Sequence, residues 1–129
     1  MVDIMFKLAR VTARDIVCDL GSGDGRIPII AAQKYGARGL GIEIDAELVG
    51  SAWRNAQRAG VAQRVRFVEG DVFTADFSEA TVITLYLLTH MNNRLRPRFL
   101  DLRPGTRIVA HNFGMNEWDA DEVVFHNET

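Results

Sequence analysis

Cysteine is nearly absent: Cys18 stands alone in 129 residues, so no internal disulfide can form and a reducing cytoplasm would suit the chain. No apolar run approaches the ~20 residues a membrane-spanning helix needs. The N-terminus carries Asp3 and lacks the basic and apolar regions of a secretory signal. Neither sign of charge dominates. Fifteen Lys and Arg against seventeen Asp and Glu leave a formal net charge of −2, which offers no field for gathering nucleic acid or anionic lipid. The three histidines include no pair at metal-ligand spacing with a third ligand, so no metal site is expected. These absences leave the expectation of a cytoplasmic protein with no membrane span, no metal and no nucleic-acid partner.

What is present is an ordinary globular composition, 47% hydrophobic and 25% charged. A chain of this length forms a single domain, residues 1–129, able to bury about two-thirds of its unfolded surface without a staple. Neither repeats nor low-complexity tracts interrupt it.

The most informative stretch runs from residue 16 to 25, Ile-Val-Cys-Asp-Leu-Gly-Ser-Gly-Asp-Gly. A short apolar run ends in Asp19 and breaks into glycines spaced two apart, which reads as a buried strand feeding a ligand-facing loop. Cys18 lies inside the strand as a small apolar residue. Gly21, Gly23 and Gly25 permit positive φ and close approach of backbone to a bound molecule. A dinucleotide fingerprint would place its third glycine three positions after the second, and that position is Arg26. A nicotinamide site is therefore disfavoured. Glycine in a strand-to-helix turn also has a purely steric use.

Two further acids follow two further apolar runs. Residues 39–44, Gly-Leu-Gly-Ile-Glu-Ile, read as a second strand, with Glu43 about twenty residues past the glycines, where a ribose-binding acid belongs. Its carboxylate can accept hydrogen bonds from both ribose hydroxyls. Residues 65–69, Val-Arg-Phe-Val-Glu, read as a third strand leading into Gly70-Asp71-Val72-Phe73. Glu43 or Asp71 alone is equally a solvated loop acid or a helix cap. Three acids, each at the end of a successive strand, are harder to explain that way.

Helices fill the intervals. Residues 26–35 carry Pro28 in the first turn, where a missing N–H costs little, and stop before Gly36. Residues 46–59 follow an expected N-cap, Asp45, and end before Gly60, with Leu48, Ala52, Ala56 and Ala59 on one stripe and Arg54, Gln57 and Arg58 facing water. Alternation of strand and helix signals a parallel sheet wound right-handedly. A fourth strand is expected at 81–87 and a fifth at 107–111, entered through the turn Arg103-Pro104-Gly105. Between them, residues 90–102 read as helical, with Pro97 breaking the ladder or starting a second short helix.

Asp19-x-Gly21-x-Gly23-x-Gly25 resembles motif I of the class I S-adenosylmethionine (SAM) dependent methyltransferases. The Leu-Arg-Pro-Gly turn and Asp76-Phe77-Ser78 ahead of strand four resemble the same family. Within it, the run Asp19-Leu-Gly-Ser-Gly-Asp-Gly-Arg-Ile27 is similar to small prokaryotic relatives of the lysine methyltransferases that modify the ATP synthase c-subunit. The resemblance extends from Phe6 to about Trp118 and implies an α/β, Rossmann-like, doubly wound and mostly parallel sheet. It implies SAM as cofactor, held by Asp19, Gly21, Ser22, Gly23, Glu43, Ile44, Asp71 and Val72, with Asp71 on the adenine amino group and the Val72 backbone on a ring nitrogen. The ends depart from the pattern. The chain starts inside the family's first helix, after the segment that helps cover SAM, and offers one late strand, Glu122 to His126, where the family has two. An unpaired sheet edge would then invite a second copy of the chain.

Methyl transfer asks mainly for in-line placement of the acceptor, worth effective molarities of ~10⁵ M or more. Ligands of open parallel sheets sit at the carboxyl ends of strands, so the acceptor-side candidates leave strands four and five: Tyr86, Thr89, His90, His111 and Asn112, of which Tyr86, His90 and Asn112 are the catalytic choices. Tyr86 lies in an apolar run, where a tyrosine is more often a core or wall residue, and His90 and Asn92 could equally be helix caps. Trp53 and Trp118 read as packing residues. The acceptor is a lysine of a protein or a small molecule. The alternative from another class is a SAM-binding pseudoenzyme or subunit module that needs a partner for activity.

Overall fold

The structure is a computed structural model that describes residues 6–86, 89–113 and 118–125, with residues 86, 89–93, 111–113 and 118–125 described by their backbone. In chain order the elements are β1 (Ile16–Leu20), α1 (Arg26–Tyr35), β2 (Arg38–Glu43), α2 (Ala46–Ala59), β3 (Val65–Glu69), β4 (Val82–Tyr86), α3 (Thr89–Phe99), β5 (Arg107–Phe113) and β6 (Trp118–Phe125). They form one six-stranded sheet in the order β3-β2-β1-β4-β5-β6. The first five strands are parallel, and β6 returns antiparallel along β5 with a bulge between Ala110 and His111. This is the doubly wound sheet expected.

Both faces are covered, which is why β1, β4 and β5 read as apolar runs rather than alternating ones. On one face Val17, Val82 and Val109 meet Ile27 and Ala31 of α1 and Phe6 of the helical turn at residues 6–8. Beside them Ala52 and Ala56 of α2 pack on Val65 and Phe67 of β3, and Trp53 stands edge-on to Phe67 at 5.2 Å. On the other face Leu95 and Phe99 of α3 cover Ile83, Leu85 and Ile108. No helix joins β3 to β4. Residues 70–81 cross irregularly and lay Val72, Phe73, Ala75 and Phe77 over that face instead.

The helix ends follow their residues. Asp45 caps α2 by accepting from the Glu47 and Leu48 N–H groups, and Gly36 and Gly60 close α1 and α2 in the left-handed conformation. Of the expected α2 stripe Ala52 and Ala56 are buried, whereas Leu48 lies at its margin and is exposed. Pro97 neither breaks α3 nor starts a second helix, but occupies its last turn. Just beyond it the ladder tightens to three-residue bonds, from Asp101 N–H to the Arg98 carbonyl and from Leu102 N–H to the Phe99 carbonyl. Arg103-Pro104-Gly105 forms the turn into β5, with Gly105 at φ 86° and Thr106 N–H bonded to the Arg103 carbonyl.

Four strands differ in extent from expectation, β4 by beginning at Val82 rather than Thr81. β2 stops at Glu43 and leaves Ile44 outside it, 71% exposed. β5 continues to Phe113, and β6 begins at Trp118 rather than Glu122, because pairing persists along β5 as far as Phe113 opposite Trp118. His126 lies outside the described residues, as does Leu87 at the expected end of strand four. Among the described residues β3 and β6 are the sheet edges.

The amino ends of three strands are tied by one cluster. Asp15, just before β1, accepts from the Thr12 N–H (2.8 Å), the Thr81 hydroxyl (2.8 Å) and the Arg107 guanidinium. Arg107 also donates to the carbonyls of Ala9 (2.6 Å) and Arg10 (3.1 Å). The Thr81 hydroxyl in turn accepts from the Ile16 N–H at 2.9 Å.

Candidate functional site

Strand order reverses at β1: β2 and β3 lie on one side, β4 and β5 on the other. In open α/β sheets the crevice beyond the carboxyl ends at such a switch point is where ligands sit. The register brings there, in spatial sequence, the Asp71 turn after Glu69, then Glu43, then the glycine loop after Leu20, then Tyr86, then His111 and Asn112.

The glycine loop is held from outside. Gly21 and Ser22 donate their N–H groups to the Ile42 carbonyl at 2.8 and 3.0 Å. Gly23 N–H donates to Glu43 Oε1 at 2.8 Å, and the amide of Asn55 on α2 donates to the Asp24 carbonyl at 3.0 Å. The three glycines all have positive φ but divide by role. A Cβ on Gly21 or Gly23 would meet nothing within 4 Å, so these two border open space. A Cβ on Gly25 would fall 2.8 Å from Ala52 and Phe67, so this glycine lets α2 and β3 close onto the loop. The steric use of glycine and the ligand-facing use coexist in one triplet.

The start of α1 offers a pyrophosphate little. Arg26 N–H is engaged by Asp24 Oδ1 at 3.3 Å, Pro28 has no N–H, and the Asp24 carboxylate pairs with the Arg26 guanidinium at 3.2 Å. A nucleoside without phosphates suits this loop better.

Beneath the loop, Asp19 is buried to 3% exposure and accepts from the Thr84 hydroxyl of β4 at 2.7 Å. Burial pushes its carboxyl up to about 8; the Thr84 bond works against the shift, and the nearby Glu43 charge adds to it. Above Gly41 sits the Ser22 hydroxyl, buried and without a hydrogen-bond partner among the described residues. A buried acid that resists ionising and a buried hydroxyl with no partner together mark a place shaped for a cationic, hydrogen-bonding ligand.

Glu43 reaches across from β2 with Oε1 on Gly23 N–H and Oε2 on Asp45 N–H (3.1 Å). Each oxygen keeps capacity for a further donor. Asp71 partly fulfils the plainer reading of it, because its Oδ1 caps the Phe73 N–H at 2.8 Å and its carbonyl accepts from Thr74 and Ala75. Ile44, next to Glu43, presents an exposed apolar side chain, a surface suited to a flat ring. Asp19, Gly21, Ser22, Gly23, Glu43, Ile44, Asp71 and Val72 thus all lie at or just past the carboxyl ends of the neighbouring strands β1, β2 and β3. Tyr86 ends β4, His90 lies in the first turn of α3, and Asn112 lies on β5, so their backbones border the other side of β1.

Sequence reasoning missed three supporting residues. Thr84 was the one signal available, a polar residue inside the apolar run Val82–Tyr86. Asn55 and Arg98, which bonds the Val72 and Ala75 carbonyls, act across 31 and 26 positions and carry no local signature.

The chain is similar to known proteins over nearly its full length. The ANTKMT methyltransferase domain family matches residues 19–122. A protein-lysine N-methyltransferase of Saccharolobus islandicus is 43% identical over 122 residues, covering 93% of this chain and 76% of its own length. The lysine N-methyltransferase of the ATP synthase c-subunit from Xenopus laevis is 33% identical over 109 residues, 84% of this chain, which spans only 48% of that relative. A crystal structure described as an RNA methyltransferase from Salinibacter ruber in complex with S-adenosyl-L-homocysteine superposes with a TM-score of 0.84 at 55% identity, covering 98% of this chain and 84% of that one.

Proposed function

The chain belongs to the ANTKMT methyltransferase domain family and is a SAM-dependent methyltransferase, and we propose that its acceptor is the side-chain amine of a lysine in a protein. The observation that carries the cofactor half of this reading is the rim of acids at three successive strand ends around an open, two-glycine cradle. Two relatives named as protein-lysine methyltransferases support the acceptor half. The binding-module alternative receives no support from relatives that are named as transferases.

Bound SAM supplies an electrophilic sulfonium methyl and needs no acid catalyst at that carbon. The residues of this chain hold and orient. Gly21 and Gly23 admit the amino-acid part beside Ser22, and Asp19 places a buried carboxyl group where a bound ammonium and sulfonium favour its ionised form. Glu43 accepts from the ribose hydroxyls while its bond to Gly23 N–H keeps it across the loop. Ile44, Asp71 and Val72 take the adenine. On the far side of β1, Tyr86, His90 and Asn112 are the candidates to receive the acceptor, and of the three His90 carries the side chain able to take the proton a lysine ammonium must lose before attack. Cys18, buried and pushed far up from its ordinary range, takes no part and fits a reducing cytoplasm.

A second reading, an RNA acceptor, is favoured by the description of the Salinibacter ruber structure and runs against the charge balance of this chain. Incubation of the purified protein with radiolabelled SAM and a host extract, pretreated with protease or with ribonuclease, separates the two. Label retained after ribonuclease and lost after protease is the expected result, with hydrolysis of the labelled product returning a methylated lysine. Label lost only after ribonuclease would transfer the assignment to RNA.

A further inference from the structure

The connection between β3 and β4 carries the Asp71–Val72 segment yet contains no helix, so its carbonyls lack helical partners. Arg98, near the end of α3, supplies donors. Its Nη1 donates to the Val72 carbonyl at 2.7 Å and its Nη2 to the Ala75 carbonyl, while the guanidinium lies 4.3 Å from the centroid of the Phe77 ring. One turn earlier on the same helix, Arg94 covers the Phe73 ring at 3.9 Å. A planar fork is the side chain that can span two carbonyls and stack on a ring at once; a lysine ammonium reaches one carbonyl. The turn itself is closed by bonds from the Thr74 and Ala75 N–H groups to the Asp71 carbonyl, so fixing Val72 and Ala75 fixes the direction of Asp71.

We infer that Arg98 is a positioning residue that sets the adenine-reading turn and so determines selectivity for the adenine base, by gripping the Val72 and Ala75 carbonyls from α3. This rests on the cofactor reading above. The helix that grips the turn begins just after β4, on the acceptor side of the crevice, so the base-reading wall and the acceptor wall share one support.

Calorimetric titration of the full chain with S-adenosylhomocysteine and with its inosine counterpart, in which the adenine amino group is replaced by an oxo group, tests the inference. Wild type binds the adenine compound more tightly. In Arg98→Ala, adenine affinity is expected to fall about tenfold, the effect of losing a charged donor, with a much smaller fall for the inosine compound. Arg98→Lys keeps one carbonyl bond and falls between. Arg96→Ala, an exposed neighbour on α3, retains wild-type affinities. A lower melting temperature with an unchanged ratio of the two affinities in the lysine and alanine variants would overturn the inference, leaving Arg98 a stability residue. If Arg98→Ala does not fold, the ratio in Arg98→Lys decides alone. Failure of wild type to bind either compound would sink the cofactor reading itself, a result distinct from the others.

Discussion

Asp15 and Asp19 flank one strand, the first just before β1 and the second one residue from its end, and both are buried, 6% and 3% exposed. Their surroundings differ. Asp15 is met by a backbone N–H, a hydroxyl and a guanidinium, all supplied by the protein. Asp19 has the Thr84 hydroxyl, and burial raises its carboxyl to about 8. At the amino end of the sheet the polar groups answer one another; at the carboxyl end an acid, a serine hydroxyl and two open glycines are left for something else to answer. An incompletely satisfied buried polar cluster costs stability, and one at a topological switch point is a mark of binding rather than of poor packing.

The sharpest break of this contrast is Asp15→Ala, which strands the Arg107 guanidinium and the Thr81 hydroxyl. A loss of about 3–5 kcal/mol is expected in urea unfolding, the scale for removing one member of a buried pair. A loss below about 1 kcal/mol would deny the cluster its structural role. Asp19→Asn should do the reverse in the ligand-free protein, leaving stability at pH 8 unchanged or improved, while weakening SAM binding by about 2 kcal/mol through loss of the charge. A destabilised Asp19→Asn protein that binds SAM normally would make the two aspartates alike.

Glu43→Ala sharpens the comparison from the neighbouring strand. It should cost roughly 1–3 kcal/mol of SAM affinity, since it removes both a ribose acceptor and the brace on Gly23. Unchanged affinity in a folded variant would count against Glu43 as a cofactor residue.

A pH titration probes Asp19 without mutation. Its carboxyl titrates near 3.8 when unfolded and near 8 when folded, so the folded state holds the extra proton between those values. Stability of the ligand-free protein should therefore fall as pH rises from about 4 to about 8, and Asp19→Asn should flatten that slope. Affinity for SAM should rise over the same range, up to about tenfold per unit, and level off above about 8. A pH-independent affinity between 6 and 8 would exclude ionised Asp19 from the site. The smallest effect expected is that of Gly23→Ala, roughly 1 kcal/mol of backbone strain at φ 57° with no clash. Gly25→Ala, with a Cβ 2.8 Å from its neighbours, should be the more destabilising of the two.

Much of this was legible in the residues because it is local. The helices 26–35 and 46–59 announce themselves by glycine stops and the Asp45 cap, and the strand-end acids by following apolar runs. Other features depend on distant groups. Pro97 looks like a breaker in mid-helix, but α3 ends two residues beyond it, so its missing N–H and its ring disturb only the last turn of the ladder. The start of β6 depends on how far β5 extends, since an antiparallel partner is defined by the strand it lies against. Asp15 carries no sign of its role, because its partners Thr81 and Arg107 lie 66 and 92 positions away.

Those separations also bear on how the chain acquires its shape during synthesis. The central strand β1 finds its second neighbour only when β4 has been made, and the Arg107 clamp on Ala9 joins positions 98 apart. Until β4 has left the ribosome, the growing chain holds β1, β2 and β3 with one flank of β1 bare, and until Arg107 follows, the turn at residues 6–10 lacks its clamp. Such long-range closure makes for slow folding and a prolonged exposure of strand edges. Strong early folding of the segment 16–69, visible as protease resistance of truncated chains, would shorten that exposure, and the glycine loop lies inside it. The glycine loop and Glu43 are made before Arg107, which secures the amino end of the sheet.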